Sequence, residues 1–286
     1  MGTRKRANLT DLLNQLTFKT IYNKYSLLAQ TCFEWEGLPE GIQEKHIERF
    51  LFEHGKAVFF KAEGMSYMCL KCDDAGKRNV YNEALYYNAT GVGFNKRLQA
   101  DECVVIENNP LRLDTDSFLM FYCNKLYEAE RTIDVNIKSV KTPVVFACDD
   151  KDSLSFKRLF QQVDGNTPAI FADKGLNLDS IGAYKTGVTF LCNDLMDYKK
   201  SVENEMLTFL GFDNLAVDKK ERVNLSEANS NNQITETFSE LQLMSRQLAC
   251  ERINEMFGLS LSVKRKEVTP ICGTQPSMTQ QSLQLN

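Results

Sequence analysis

The sequence predicts an α+β fold, and two observations indicate it. Apolar residues recur at helical spacing over 9–35, 114–140 and 193–210, whereas residues 56–112 hold short β-rich runs separated by charged or glycine-containing turns. Hydrophobic residues make up 43% of the 286, which is a globular composition. The chain can therefore bury a substantial core in one or two domains.

The first eight residues form a short basic arm that contains Arg4, Lys5 and Arg6. A disordered arm of this kind can contact phosphates, but the same pattern is also typical of a solvated terminus. The residues alone leave both interpretations open.

Two helices are expected after the arm. Apolar spacing predicts the first from Leu9 to about Trp35, where GLPEG at 37–41 ends it. The second is expected over residues 42–55. AVFF, MSYMCL and ECVVIE then predict strands of a small sheet within 56–112.

A long helix is predicted over residues 114–140, because one apolar stripe steps by three or four residues throughout. Asp114, Thr115 or Asp116 can cap its start. Its length would be roughly 40 Å. Pro143 forces the preceding residue out of the helix.

The following region, 141–192, mixes helix and strand signals. PVVFAC, PAIFAD and GVTFLC predict three strands, with SLSFKRLFQQV as a short helix between them. A second long helix is then expected from Asn193 to Leu210, where Gly211 can end it.

A long polar loop is expected over 213–233, with DKKER near its centre. Thr237-x-x-Glu240 is a capping-box pattern that predicts the start of the next helix. That helix would run to Gly258, and LSLSVKRK predicts a last strand. The polar tail over 268–286 is expected to be mobile.

Bulk composition narrows the class of protein. The formal net charge is -4, which argues against a protein that simply coats nucleic acid. Nine cysteines, an odd number, and an N-terminus without an apolar signal region predict a reduced folding environment. No apolar run reaches eighteen residues, so no membrane span is expected.

Catalytic chemistry finds little support, so we expect no enzyme, cofactor or metal. Cys69-x-x-Cys72 is the only close cysteine pair; strand residues three apart point to opposite faces, which favours sheet residues over a metal or redox site. Gly91-Val92-Gly93 lacks the third glycine of a nucleotide loop and predicts a turn. With only two histidines, a nucleophile–base pair is poorly supported.

Seven segments in order resemble the portal, or head–tail connector (upper collar), of small short-tailed phages of the Bacillus phi-29 type. The order and spacing hold from about residue 3 to residue 264. The segments are FEWEGLP (33–39), KTPVVF (141–146), NTPAIFA (166–172), NEMLTFLGFDN (204–214), DKKERV (218–223), EANSNNQI (227–234) and ACERINEMFGL (249–259).

The resemblance implies a phage portal fold, with long stem helices, a small β-rich wing module and an α/β clip, assembled as a ring of twelve around a DNA channel. The implied divisions are the arm 1–8, wing 9–113, stem helix 114–140, clip 141–192, stem helix 193–212, channel loop 213–233, wing helix and strand 234–267, and tail 268–286. The tail 268–286 does not match the family.

The resemblance also implies roles for single residues. Lys219 and Lys220, with Arg222 beside them, would face DNA from the channel loop. Lys185 matches a channel-facing lysine near the clip–stem junction, whereas Asp194 stands where relatives carry a second lysine. Arg4, Lys5 and Arg6 match a basic arm associated with nucleic acid.

The implied function is a passive conduit for packaging, retention and ejection of double-stranded DNA that joins capsid to tail. Its partners would be other copies of itself, DNA, major capsid and scaffolding proteins, the packaging ATPase, a packaging RNA in some members, and lower collar or tail proteins. It would reside in the virion neck, and in the host cytoplasm during assembly. The alternatives are a head–tail adaptor without a DNA-directed loop, and a thiol, metal or nucleotide enzyme.

Overall fold

The computed structural model describes residues 9–62, 64, 66–141, 144–147, 182–185, 189–212 and 225–266. The chain forms two compact units, and each of the two combines separate stretches of sequence. Unit 1 contains Met1–Asn23 and Leu119–Thr208, and unit 2 contains Lys24–Phe118 and Phe209–Asn286.

The described residues contain both helices and a largely antiparallel set of strands, which confirms the predicted α+β class. The helices are α1 (Leu9–Gln30), α2 (Glu44–His54), α3 (Thr115–Lys141), α4 (Cys192–Phe209) and α5 (Leu225–Phe257). The strands are β1 (Phe33–Glu36), β2 (Lys56–Lys61), β3 (Tyr67–Arg78), β4 (Ala84–Gly91), β5 (Phe94–Gln99), β6 (Cys103–Glu107), β7 (Val144–Ala147), β8 (Gly182–Lys185) and β9 (Ser262–Arg265). No helix among these residues combines the length and the apolar content needed to cross a bilayer.

Unit 2 is built on a five-stranded antiparallel sheet in the order β5-β4-β3-β2-β6. The rings of Phe60 on β2 and Phe94 on β5 lie 6.0 Å apart, although two strands separate them. In a flat sheet, three strand spacings would place them about 14 Å apart. The sheet therefore curls around its inner face.

Each face of this sheet buries its own apolar cluster, as the two-residue period of a strand requires. Cys69 belongs to the cluster that α2 and α5 cover, with Phe59 and Ile253. Cys72 belongs to the inner cluster, with Phe60 and Leu98. The prediction that Cys69 and Cys72 point to opposite faces is confirmed.

The predicted end of the first helix is wrong. Helix α1 stops at Gln30, and Phe33–Glu36 instead forms β1, which pairs antiparallel with β9. Within β1, Phe33 and Trp35 are buried whereas Glu34 and Glu36 are not, which is a strand pattern. Pairing with a strand near the far end of the chain decided the conformation of this segment.

Two other boundaries differ from the sequence prediction. Helix α5 begins at Leu225, so residues 225–233 are helix and not loop, and the Thr237 hydroxyl bonds to the Gln233 carbonyl within the helix. Helix growth is cooperative, so the polar stretch extends a helix that is anchored further along. Strand β8 lies at Gly182–Lys185, whereas the described part of GVTFLC is irregular and then helical.

The long helices α3 and α4 match their predicted ranges. Asp114 caps α3, because its Oδ1 accepts a hydrogen bond from the Ser117 amide at 2.6 Å. The glycine turn is also confirmed, since Gly91 pairs with Phe94 across a tight hairpin. The segments PAIFAD and SLSFKRLFQQV and the tail 268–286 lie outside the described residues.

Candidate nucleic-acid interface

Most of the basic residues that were predicted to contact DNA lie outside the described residues. These are Arg4, Lys5, Arg6, Lys219, Lys220 and Arg222. The structure does describe the elements that flank both segments. It also describes the backbone of Lys185, on β8 of unit 1.

Lys185 is the last residue of β8, and its register partner is Val144, the first residue of β7. Val144 follows α3, whose last residue is Lys141, by only a short connection. The backbone of Lys185 therefore lies beside the carboxyl end of α3. Lys138 and Lys141, one turn apart on α3, belong to the same end of the helix.

Asn136 ties the segment before α4 to α3. Its side-chain amide donates to the Thr189 carbonyl at 2.9 Å, and its Oδ1 accepts from the Leu191 amide at 3.0 Å. Both bonds satisfy backbone groups just before α4 begins at Cys192. Asn136 thus fixes where the second long helix starts relative to the first.

Charged and polar side chains connect α3 and α4 further along. Lys199 forms an ion pair with Glu130. Burial, helped by the charge of Glu205 and a hydrogen bond to it, raises the pKa of Tyr122. Asp194 lies in the first turn of α4, where the helix dipole favours a negative side chain.

Unit 2 contains the residues on both sides of the segment 213–224, which the chain enters when it leaves α4. Gly211 adopts φ +74°, and a Cβ there would lie 2.8 Å from Arg265 Nη1 and 2.9 Å from Ser239 Cβ. Only glycine fits both this backbone conformation and this space. We call Gly211, Phe212, Ser239 and Arg265 the loop base.

Arg265 holds the loop base together. Its Nη2 donates to the Gly211 carbonyl at 2.5 Å, and its Nη1 bonds to the Ser239 hydroxyl on α5. Its guanidinium also lies 5.2 Å from the centre of the Phe212 ring. One arginine on β9 therefore joins the residues that precede the segment 213–224 to the helix that follows it.

Three phenylalanine rings in contact fix the end of α4 beside the loop base. The Phe209 ring lies 3.4 Å from the Phe118 ring and 5.2 Å from the Phe238 ring, centroid to centroid. Leu210, the next residue, is buried. The chain therefore enters the segment 213–224 from a rigid, packed position.

Helix α5 extends well beyond the loop base. Ser239 lies about 21 Å along the helix from Leu225, at about 1.5 Å per residue. Residues 213–224 can span about 40 Å when extended, so this separation is well within their reach. Lys219 and Lys220 occupy the middle of this span in the sequence.

Sequence reasoning missed the residues that position these elements. Arg265 lies in an ordinary strand pattern, SVKR, and nothing local marks it. Asn136 had a weak signal, because a polar amide interrupts the apolar helix residues Val135 and Ile137. A side chain that bonds to a backbone more than fifty residues away leaves no periodic trace in the sequence.

A family model described as Phage Connector (GP10) matches residues 4–269 of this chain. The match covers α3, α4, α5 and β9, and it also covers the segment 213–224 between α4 and α5.

Three solved structures are similar in fold. The portal and tail of native bacteriophage P68 gives a TM-score of 0.49 at 17% identity and covers 93% of each chain. An HK97-family phage portal protein from Corynebacterium diphtheriae gives 0.46 at 10% identity, covering 91% of this chain and 94% of that one. The neck of an empty GTA particle gives 0.43 at 11% identity, covering 88% and 80%.

Proposed function

The chain belongs to the phage connector family, and we propose that twelve copies form a ring whose channel passes double-stranded DNA during packaging, retention and ejection. The observation that carries this proposal is the family match over residues 4–269. As a portal protein, the chain belongs to the neck of the virion, where it associates with capsid and tail. The head–tail adaptor alternative is not favoured.

The exposed apolar residues of α3 support assembly into a ring. Val135 and Ile137 are 56% and 51% exposed, and positions two apart on a helix lie about 200° apart. Both sides of α3 therefore leave large apolar side chains uncovered. A ring places each subunit between two neighbours, so a two-sided exposure suits it better than a single partner does.

Each chain has few basic residues that are proposed to face DNA, but the symmetry of a ring multiplies their number. Lys219 and Lys220 would supply about two dozen positive charges in a twelve-fold ring. The net charge of -4 for each chain keeps the rest of the ring from holding DNA. Each phosphate that a lysine or arginine neutralises permanently strengthens the salt-dependent binding of DNA to the protein. A small number of such contacts therefore suits a duplex that must move through the channel.

Arg222, Lys185 and the basic arm complete the proposed nucleic-acid surface. Lys185 is supported by the position of its backbone beside the end of α3. Arg4, Lys5 and Arg6 are proposed to contact nucleic acid during packaging, and this includes a packaging RNA where one exists.

The other proposed partners are the major capsid and scaffolding proteins, a separate packaging ATPase and the lower collar or tail proteins, with assembly in the host cytoplasm. We infer a structural role without catalysis. The placement of Cys69 and Cys72 in separate apolar clusters supports this, because the two thiols cannot meet at one metal or one disulfide.

Electron microscopy of the purified chain tests the ring directly. We expect particles with a central hole and twelve-fold symmetry in top views. A stable monomer at high protein concentration would contradict the proposal.

A deletion then tests the DNA-directed segment. Because α5 begins at Leu225, the deletion should be confined to residues 214–224 and replaced by a short glycine–serine linker. Rings should still form, and packaged DNA should be retained less well. An unchanged retention would favour an adaptor over a portal.

A further inference from the structure

Strand β3 lies inside the five-stranded sheet but leaves one of its own edges open over part of its length. Residues Tyr67–Leu70 pair with β2 on one side, whereas pairing with β4 begins only at Lys71. Strand β4 ends at Gly91, where the chain turns back into β5. No strand among the described residues therefore pairs with the other side of Tyr67–Leu70, and alternate backbone groups there face outward.

A groove runs along this open edge. Residues Ser66–Leu70 form its floor, and Ile42, His46 and Phe50 form the wall on the side of α2. Its volume of about 620 Å³ lies in the usual range of ligand clefts, roughly 300–1,000 Å³. Unpaired strand backbone beside half-buried apolar side chains is the arrangement that accepts an added strand.

The chain leaves the described part of unit 2 next to this groove. Lys266, the last described residue, bonds through Nζ to Glu44 Oε1 at 2.8 Å, and its amide donates to the Cys32 carbonyl at 2.8 Å. Glu44 lies between Ile42 and His46, which both line the groove. Residues 267–286 therefore begin beside one end of the wall.

The last part of that segment has a strand pattern. Residues 280–286 read QQSLQLN, in which Leu283 and Leu285 are two apart and would share one face of a strand. This stretch contains no proline, whereas EVTPIC, closer to Lys266, contains Pro270, which lacks the amide proton that a strand ladder needs.

We propose that residues 280–286 of the same chain add to the open edge of β3 as a further strand, with Leu283 and Leu285 against Ile42 and Phe50. The distance is not limiting, because the residues between Lys266 and Leu283 can extend over about 50 Å. The extra length of this connection costs little free energy, because the entropic cost of closing a loop grows only slowly with its length. This strand addition does not depend on ring formation.

Hydrogen exchange with mass spectrometry tests the proposal on the fragment that contains Ser66–Leu70. Four chains are compared: the full chain, a chain ended at Lys266, Leu283→Ser with Leu285→Ser, and the control Gln280→Ser with Gln284→Ser, which changes the opposite face. Residues Ala57–Phe60, paired on both sides, report whether each variant is folded.

We expect the outward amides of Ser66–Leu70 to exchange about five- to tenfold faster in the shortened chain and in the leucine variant. The glutamine control should match the full chain, and a synthetic peptide of residues 267–286 should restore protection to the shortened chain. Equal exchange in the full and shortened chains would overturn the proposal. Protection that disappears on dilution to monomers would also overturn it, because the strand would then come from a second copy.

Discussion

Arg246 and Glu48, 198 residues apart in the chain, form a fully buried ion pair in unit 2. Arg246 Nη2 lies 2.7 Å from Glu48 Oε2, and its Nε lies 2.9 Å from Glu48 Oε1. Trp35 Nε1 donates to the same carboxylate at 2.8 Å, and Arg246 also donates to the carbonyl and side chain of Asn108. The pair thus joins α5, α2, β1 and the end of β6.

Removing the charge of Arg246 should strongly destabilise unit 2. Arg246→Met leaves Glu48 buried without its partner, at a cost of roughly 3–5 kcal/mol in the free energy of unfolding. The exposed Arg49–Glu53 pair supplies the control, and Arg49→Met should cost less than about 0.5 kcal/mol. Urea unfolding measures both.

A double variant separates the charge penalty from the change in packing. Glu48→Gln combined with Arg246→Met should be more stable than Arg246→Met alone, because the uncompensated carboxylate is gone while Trp35 keeps an acceptor. If the two variants unfold at the same urea concentration, burial of charge is not the cause of the loss of stability.

Gly211→Ala should disturb the loop base through both strain and steric overlap. The left-handed backbone costs a non-glycine residue roughly 1–2 kcal/mol, and the new methyl group would meet Arg265 and Ser239. We expect Gly211→Ala to lower the free energy of unfolding by about 2–4 kcal/mol in total. Gly258→Ala is the matched control, because Gly258 has φ +66° but open space around it, so it reports strain alone. Equal losses would mean that the overlap with Arg265 is unimportant.

Asn136→Ala should loosen the start of α4 without unfolding the rest of unit 1. Two hydrogen bonds to the backbone are removed, worth about 1 kcal/mol each. Amide exchange over residues 189–195 should therefore accelerate, while α3 is little affected. Asn124→Ala, at an exposed position of α3, should leave the exchange of 189–195 unchanged.

Buried thiols should make the stability of unit 2 fall at alkaline pH. Burial, with a smaller contribution from Glu251, raises the pKa of Cys250 from 9.0 to about 12. An unfolded chain loses this proton near pH 9, so the stabilising contribution is complete below pH 9 and is lost as the pH rises towards 12.

Cys250→Ala removes the part of this pH dependence that comes from Cys250. Between pH 8 and pH 10 the free energy of unfolding should fall by about 1.4 kcal/mol more in the wild type than in the variant. This difference arises because pH 10 lies one unit above the pKa of the thiol in the unfolded chain. Chemical unfolding at both pH values measures the difference. Parallel losses in the two proteins would contradict the assignment to Cys250.

Lys219→Ala with Lys220→Ala should leave ring assembly intact and weaken DNA binding. The slope of log binding constant against log salt should fall by roughly 0.9 for each phosphate that the variant no longer neutralises. Lys45→Ala with Lys77→Ala, both at exposed positions, changes the net charge equally and should leave the slope unchanged. Failure of the Lys219 and Lys220 variant to form rings would indicate a structural role for the segment.

Local patterns alone determined much of this protein. The apolar stripe and the Asp114 cap placed α3 within one residue of its observed ends, because helical periodicity and capping involve neighbours in the sequence. The two-residue period placed Cys69 and Cys72 on opposite faces for the same reason. The order of short segments was sufficient to indicate the connector family.

Features whose partners are far apart in the chain depend on the tertiary structure. Phe33–Glu36 became a strand because β9 pairs with it, and the loop base exists because Arg265 reaches Gly211 and Ser239. Neither interaction follows from spacing within a segment, since each depends on which surfaces meet once the core is buried. Local sequence therefore set the helices and strands, and long-range pairing set where they begin, end and are joined.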